Sequence, residues 1–142
     1  WHMRYGLDLK SPSASIQGPK VMLINESAGS GGDMLPWMFR KFNVGTLVGT
    51  RTWGGLVGIL GFPDFIDGGN VTAPNVGIWT KDGFVVENVG VAPDIEVEQT
   101  PAEVIAGKDP QLDKAIQVAL DELKKNPQVE PTRPSFPVKA KQ

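Results

Sequence analysis

Residues 25–33, NESAGSGGD, place Ser30 among small residues between two apolar runs, KVMLI and MLPWMF. Such flanks predict a tight turn from a strand into a helix rather than a linker. A serine hydroxyl held at this turn can attack a carbonyl carbon, while the amide of the next residue, Gly31, donates to the oxygen that becomes negative. Small neighbours would let a peptide approach the backbone. One hypothesis for Ser30 is therefore a nucleophile.

Two other interpretations of the same segment compete with a nucleophile. Glycine-serine clusters are commonly plain loops, and turn composition alone favours that interpretation. A phosphate cradle is the weakest alternative, because the segment lacks a Gly-Lys-Ser/Thr ending and has no basic residue between Asn25 and Asp33. The simplest role for Asp33 is the cap of the helix that follows.

A second candidate group is RTWGG, which comprises Arg51, Thr52, Trp53, Gly54 and Gly55. Tryptophan and arginine are common anchors at binding surfaces. The segment can equally line a substrate groove or brace a loop, and its composition does not decide between the two.

The elements that must position these residues are short. Residues 20–25 are predicted to form a buried parallel strand covered on both faces, and a helix is expected to open at Ser30. Residues 46–98 read as several short strands, with a hairpin turning at Lys81-Asp82-Gly83. Two helices follow, one opened by a Thr100-Glu103 capping box and one by Asp109-Pro110. The second carries an apolar stripe that is predicted to pack: Leu112, Ile116, Ala119, Leu120 and Leu123.

Composition excludes several classes of protein. The 142 residues suit one domain with one core, and 17 glycines and 12 prolines favour strands over a helical bundle. A net charge of -2 without a long basic run gives no reason to expect nucleic acid or an anionic membrane as a partner. There is no cysteine and no apolar run of membrane-spanning length. We therefore expect a cytoplasmic protein, and no motif calls for a metal or a cofactor.

Three motifs together resemble a known family. They are LINESAGSGGD at 23–33, GTRTWGGLVGI at 49–59 and ENVGVAPDIEVE at 87–98. Their residues and order resemble the catalytic core of the tricorn protease family, which belongs with the tail-specific, or C-terminal processing, serine peptidases. The resemblance covers most of the chain from Pro19 to about Leu123. It implies an α/β fold of the Clp protease/crotonase-like type, with a nucleophile-bearing helix and a C-terminal helix.

The resemblance also implies roles for individual residues. Ser30 maps to the nucleophile, and Gly31 maps to the residue whose amide serves the oxyanion hole, where tricorn proper has an acidic side chain. Glu87 maps to a glutamate that supports the charge relay through a serine that orients the histidine. A carboxylate near an imidazole stabilises the charge that develops when the base takes the serine proton. Without the motif around it, Glu87 would read as a solvated strand-end carboxylate.

Part of the family's site has no counterpart in the sequence. The histidine base and its orienting serine come from an N-terminal subdomain in that family, and a glycine-rich segment before residue 20 supplies a second oxyanion amide. His2, the only histidine, precedes Met3 in a pair typical of a cloning scar, so the base is not assigned to it. The expected protein is thus a catalytic-core piece that cleaves peptide bonds in oligopeptides once its missing N-terminal subdomain completes it, and that is inactive alone.

The expected organisation has three parts: a foreign tag or loop at 1–18, a partial serine peptidase domain at 19–126, and an extended proline-rich tail at 127–142. Expected partners are peptide substrates and the missing subdomain. Self-association is also expected, because absent strands would leave apolar surface and a sheet edge uncovered. The family's full-length members form hexamers. The alternative function is a non-catalytic crotonase-like binding or assembly module, in which AGSGG only makes a tight turn.

Overall fold

A computed structural model describes residues 1–3 and 5–139 and shows a mixed α/β arrangement, as expected. Ten elements follow one another along the described chain: β1 (Val21–Ile24), α1 (Gly31–Lys41), β2 (Thr46–Gly49), β3 (Val57–Leu60), β4 (Ala73–Gly77), β5 (Trp79–Thr80), β6 (Gly83–Phe84), β7 (Ile95–Glu96), α2 (Pro101–Ile105) and α3 (Pro110–Lys125). A parallel sheet has the strand order β1-β2-β7, and two antiparallel pairs, β3-β4 and β5-β6, stand beside it.

The parallel sheet carries the core. Helix α1 makes the crossover between β1 and β2, which pair in register from Val21 with Thr46 to Ile24 with Gly49. The central strand β2 contributes Leu47 and Val48, both fully buried. The main buried cluster joins this strand to the loops around it: Ile24, Leu47, Leu56, Val86 and Val91.

Strand β1 confirms the predicted parallel strand but not the predicted burial of both faces. It lies at the edge of the sheet, and Leu23 is 43% exposed. Only Ile24 among its four residues is fully buried. An edge position explains the difference, because one side of the strand has no neighbour in the described chain.

The hairpin predicted at Lys81-Asp82-Gly83 is present. Strands β5 and β6 pair Thr80 with Gly83, whose φ of 95° is readily adopted only by glycine. An ion pair of 2.8 Å between Lys41 Nζ and Asp82 Oδ2 ties the turn to the end of α1. The run FVVEN contributes only Phe84 to a strand, because Val86 adopts a φ of 70° and leaves the extended conformation.

The two predicted C-terminal helices are also present, with the predicted caps. The Thr100 amide donates to Glu103 Oε2 at 2.8 Å, and the Glu103 amide donates back to Thr100 Oγ1 at 3.3 Å. The Thr100 hydroxyl also donates to this carboxylate, and the bond lowers the pKa of Glu103 below its ordinary value. At the start of α3, Asp109 Oδ1 accepts from the Leu112 amide at 2.9 Å.

The expected packing of the α3 stripe is wrong. Helix α3 contacts β1 and β2, and its two buried residues are Gln111 and Ala115. Gln111 Nε2 donates to the carbonyl of Val97, which follows β7, at 2.8 Å. Of the five stripe residues, Ala119 is the least exposed. The other four are between 39% and 51% exposed: Leu112, Ile116, Leu120 and Leu123. The large apolar side chains of the stripe are therefore only partly covered by the described chain.

The terminal segments have no helix or extended strand within the described ranges 1–3, 5–18 and 127–139. They lie against each other, since Lys10 Nζ and Glu130 Oε1 are 3.6 Å apart and the His2 and Phe136 ring centres are 5.1 Å apart. No helix in the described chain is long and apolar enough to cross a lipid bilayer.

The burial of β2 and the exposure of α3 predict a contrast in stability. Leu47→Ala empties a fully buried position, so it is expected to lower the free energy of unfolding by about 2–5 kcal/mol. Leu120→Ala, in the exposed stripe, is expected to change it by no more than about 0.5 kcal/mol. Urea denaturation followed by tryptophan fluorescence measures both. Equal losses for the two variants would contradict the observed orientation of α3.

Candidate active site

The turn between β1 and α1 presents Ser30 to solvent. Asn25 opens the turn with its side-chain oxygen accepting from the Ser27 amide at 3.1 Å, and its carbonyl accepts from the Ala28 amide at 3.0 Å. Ser30 is the N-cap residue of α1, with φ 52° and ψ -109°, and its hydroxyl makes no capping hydrogen bond. A positive φ is uncommon for serine and marks a position that its surroundings hold in place. The predicted strand-to-helix junction is confirmed.

The amide of Gly31 is available beside that hydroxyl. It donates to no described residue, whereas the next two amides, of Gly32 and Asp33, donate to the carbonyls of Gly29 and Ser30 at 2.8 and 3.0 Å. The first amides of a helix carry the positive end of its dipole. An anionic oxygen placed near Ser30 would therefore meet both a free donor and a favourable field.

Asp33 does not cap the helix, in contrast to its expected role. Its side chain is fully buried, and Oδ1 accepts from the Gly54 amide at 2.8 Å. Oδ2 has no hydrogen-bond partner among the described residues. The carboxylate thus fastens the first turn of α1 to the segment RTWGG. Sequence reasoning missed this role because an aspartate three residues after a helix start has the same pattern whether it caps or reaches elsewhere.

The segment RTWGG connects the Ser30 turn to the loop that carries Glu87. On one side, the Trp53 amide donates to the Ala28 carbonyl at 2.8 Å. On the other, the Gly54 carbonyl accepts from the Asn88 amide at 2.8 Å. Gly54 allows this contact, because it adopts a φ of 85° and a Cβ there would lie 2.7 Å from the Gly90 nitrogen.

Two of the five RTWGG residues are buried and hold the segment in place, and the other three are exposed or half-buried. Thr52 is buried and exchanges two hydrogen bonds with Val91, of 3.1 Å through its amide and 2.7 Å through its hydroxyl oxygen. Gly54 is buried as well, so both residues brace the segment. Arg51 and Trp53 are exposed, and Arg51 Nη1 donates to the Val89 carbonyl at 3.1 Å. Only this exposed part, together with the half-buried Gly55, can meet a ligand.

Glu87 occupies a strained loop. It is half-buried and lies between Val86, at φ 70°, and Asn88, at φ 61°. A positive φ is an outlier for a β-branched residue, and such strain persists only where other contacts over-determine the backbone. Here the Val86 carbonyl accepts from the amides of Val89 and Gly90 at 2.9 and 2.8 Å. No described residue hydrogen-bonds the Glu87 carboxylate, which leaves it available to a group outside the described chain.

A salt bridge at the far end of α1 secures the same loop. Asp94 accepts from Arg40 Nε and Nη2 through Oδ1 at 3.1 and 2.7 Å. Its Oδ2 accepts from the Leu47 amide at 2.8 Å. Asp94 therefore links α1, β2 and the start of β7, and so positions the 86–94 loop.

Glu26 and His2, which have no assigned catalytic role, also have defined partners. Thr50 Oγ1 donates to Glu26 Oε2 at 2.7 Å, and this bond lowers the pKa of the Glu26 carboxyl. His2 lies in the N-terminal segment, where its Nδ1 contacts Asp8 Oδ1. Within residues 1–3 and 5–139, no group of three or more histidine, aspartate or glutamate side chains could hold a metal ion.

The sequence model of peptidase family S41 matches residues 3–97. The chain belongs to peptidase family S41. The tricorn protease of Thermoplasma acidophilum is 46% identical over 125 residues, which are 87% of this chain and 12% of that protein. Tricorn protease homolog 1 of Streptomyces coelicolor is 41% identical over 96% of this chain and 13% of its own length. A putative tricorn-like protease C-terminal subunit of Sulfurisphaera tokodaii is 42% identical over 84% of this chain and 14% of its length.

Solved structures show the same relationship. The crystal structure of the tricorn protease superposes with a TM-score of 0.77 and 45% identity, covering 86% of this S41 chain and 12% of that one. Mature CPAF complexed with lactacystin gives a TM-score of 0.62 at 26% identity, covering 76% of this chain and 21% of that one. The fold is therefore an S41 peptidase fold, and this chain spans about an eighth of the length of the tricorn protease.

The buried contact between Asp33 and Gly54 predicts a measurable stability effect. Asp33→Ala leaves the Gly54 amide without an acceptor, so it is expected to lower the free energy of unfolding by about 1–3 kcal/mol. Asp33→Asn keeps an oxygen acceptor and should lose less. Urea denaturation gives the values, and Asp64→Ala in the exposed loop after β3 serves as a control with a change of about 0.5 kcal/mol or less. An Asp33→Ala variant as stable as the control would refute the role given to Asp33.

Proposed function

We propose that this chain forms part of a serine peptidase active site that hydrolyses peptide bonds in oligopeptides, with Ser30 as the nucleophile. The observation that carries the proposal is the Ser30 turn: an exposed hydroxyl, held at positive φ at the start of α1, beside the free Gly31 amide. The family to which the chain belongs supports a peptidase, because its members cleave peptide bonds.

The proposed chemistry follows from the placement of the Ser30 hydroxyl and the Gly31 amide. Ser30 Oγ would attack the carbonyl carbon of the scissile bond and give its proton to a base. The carbonyl oxygen becomes an oxyanion, which the Gly31 amide and the positive end of α1 stabilise. Collapse of the intermediate expels the amine, which takes up the proton from the base. Water then gives a proton to the base and attacks the acyl-serine ester, and collapse of the second intermediate releases the carboxylic acid while Ser30 Oγ takes the proton back.

We assign Glu87 to the support of the base. Glu87 is half-buried in a strained loop, and hydrogen bonds through Gly54 and Trp53 connect that loop to the Ser30 turn. A negative charge held there would stabilise an imidazolium formed when the base takes the serine proton. As the family resemblance implies, it would act through a serine that orients the histidine.

The base itself is proposed to come from a separate N-terminal subdomain. His2 is the only histidine of the sequence, and its ring contacts Asp8 and Phe136. Relatives are several times longer than this chain, and one is named a C-terminal subunit, which agrees with a site shared between polypeptide segments. A serine without a base is a weak nucleophile at neutral pH, so the chain alone is proposed to be inactive. Of the RTWGG segment, we assign substrate contact to Arg51, Trp53 and Gly55.

A serine-reactive phosphonate probe tests these roles. The isolated chain is expected to stay unlabelled, and addition of the histidine-bearing subdomain should produce labelling at Ser30, located by mass spectrometry of the digested protein. In the completed protein, Ser30→Ala should abolish labelling and lower peptide hydrolysis by a factor on the order of 10⁶. Ser27→Ala, in the same exposed turn, is the matched control and should retain both.

Three outcomes would count against the proposal. Equal labelling of Ser27 and Ser30 would point to non-specific reactivity of exposed hydroxyls. A completed protein that takes up no probe would favour a binding or assembly module. Robust Ser30-dependent hydrolysis by the isolated chain would show that the base lies within this sequence.

We also propose that the chain self-associates through the exposed α3 stripe when no other polypeptide covers it. Four large apolar side chains of the helix lie on one stripe and are 39–51% exposed: Leu112, Ile116, Leu120 and Leu123. The lysines in its last turn are paired within the helix, Lys124 with Asp121 and Lys125 with Glu122, so no unpaired charge of these turns opposes apolar contact. The proposed occupant of this stripe is a second copy of α3, whose own stripe has the same apolar surface to bury.

Light scattering during size-exclusion chromatography tests this pairing. The measured mass is expected to rise above that of one chain as concentration increases. Ile116→Glu, which places a charge in the stripe, should restore the monomer mass, while Gln117→Glu on the neighbouring exposed position should not. A monomer mass for the unaltered chain at every concentration would contradict self-association.

A further inference from the structure

Trp53 combines exposure with a fixed backbone. Its side chain is 71% exposed. Its own amide donates to the Ala28 carbonyl at 2.8 Å, and the amide of the following residue, Gly54, donates to the buried Asp33 carboxylate at 2.8 Å. The residue before it, Thr52, is buried and bonded to Val91. The exposed indole therefore stands on a backbone held at three consecutive residues.

The indole itself is packed against glycine backbone. A Cβ built on Gly29 would lie 2.5 Å from Trp53 Cε3, and a Cβ on Gly55 would lie 2.4 Å from Cε3 and from Cζ3. Neither glycine can therefore gain a side chain unless the ring moves. Gly29 is the residue immediately before Ser30. One edge of the indole thus lies on the Ser30 turn, while most of the residue's surface is open to solvent.

We propose that Trp53 forms one wall of a subsite beside Ser30 that takes an aromatic or large aliphatic side chain of the peptide substrate. This inference rests on the proposed peptidase function and names the substrate class that the site selects. An apolar side chain laid against the open indole removes apolar surface from water, and an aromatic one adds a ring-ring contact. Because the ring is already held in place, little conformational entropy is lost on binding.

Trp79 is a matched comparison within the same chain. It is also 71% exposed, but it lies on the two-residue strand β5, opposite Phe84. No hydrogen bond or glycine contact in the described chain joins Trp79 to the Ser30 turn. The two tryptophans therefore offer the same exposed fraction and differ in their position relative to Ser30, so exposure alone predicts equal peptide binding and the proposal predicts unequal binding.

The test measures peptide binding without turnover. The Ser30→Ala protein is labelled with ¹⁵N, and the indole N–H signals of its four tryptophans are assigned from single Trp→Phe variants. Blocked pentapeptides with Phe, Leu, Ala, Lys or Glu at the central position are titrated in. The Trp53 signal is expected to shift saturably with the Phe and Leu peptides, with a Kd about 10-fold lower than for the Ala peptide, which corresponds to about 1.4 kcal/mol. The Lys and Glu peptides should bind no more tightly than the Ala peptide.

Matched variants locate the effect. Followed through the backbone amide signals of the ¹⁵N-labelled protein, Trp53→Ala should raise the Kd of the Phe peptide about 10-fold, to that of the Ala peptide, whereas Trp79→Ala should leave it unchanged. Gly55→Ala, which forces the indole to move, should weaken Phe-peptide binding while every tryptophan remains. Gly61→Ala is its control, because a Cβ at Gly61 meets nothing within 4 Å.

The subsite is overturned if the Trp53 signal does not shift saturably with the Phe peptide, if the Phe and Ala peptides bind equally, or if Trp79→Ala weakens binding as much as Trp53→Ala. These readouts are independent of catalysis. Retained Trp53-dependent preference with no probe labelling of Ser30 in the completed protein would keep the subsite and reject the peptidase mechanism. Labelling of Ser30 without the Trp53-dependent preference would support the peptidase mechanism and reject the subsite.

Discussion

The hydrogen bond from the Gly54 amide to the buried Asp33 carboxylate is the contact on which the candidate site depends. Asp33 lies in the first turn of α1, three residues after Ser30, and Gly54 follows Trp53. A fully buried carboxylate is costly unless it is hydrogen-bonded, and the start of a helix is a favourable place for its charge. The bond makes the Ser30 turn and the RTWGG segment one unit, so a displacement of either segment moves the other.

Backbone strain is concentrated around this unit. Ser30, Val86 and Asn88 all adopt positive φ values, at 52°, 70° and 61°. Each such conformation costs on the order of 1–3 kcal/mol and must be offset by surrounding contacts. The parallel sheet and the Arg40-Asp94 salt bridge supply those contacts by fixing the ends of the loops. Strain that is held in this way gives geometry set before a substrate arrives, which is what catalysis by positioning requires.

The candidate site and the surface of the chain both have groups without partners in the described chain. The Ser30 hydroxyl and the Glu87 carboxylate have no hydrogen-bond partner in the described chain, and β1 and α3 present apolar side chains to solvent. The sheet edge at β1 leads directly into the Ser30 turn. A polypeptide that adds to this edge would therefore arrive beside Ser30 and would cover apolar surface at the same time.

Residue types and short motifs were enough to predict the family, the α/β class and the local turns and caps. The motifs around Ser30, Trp53 and Glu87 predicted the relationship to tricorn proteases, which the comparisons confirm, and the Thr100 capping box and the Gly83 hairpin turn are present where local pattern predicted them. These features depend on residues close together in the chain, where capping bonds and turn conformations are set by residue type.

Tertiary structure decided the features that depend on contacts between distant segments. Asp33 reaches Gly54 rather than capping α1, and Thr52 is buried while Trp53 is exposed. Helix α3 buries Ala115 but leaves its large apolar stripe only partly covered. Periodicity shows which residues share a helix face but not which face meets the sheet, because that choice is made by the shape of the surface it packs on. For the same reason, motif spacing could suggest candidate site residues but could not separate the buried residues that hold the segment from those exposed to solvent.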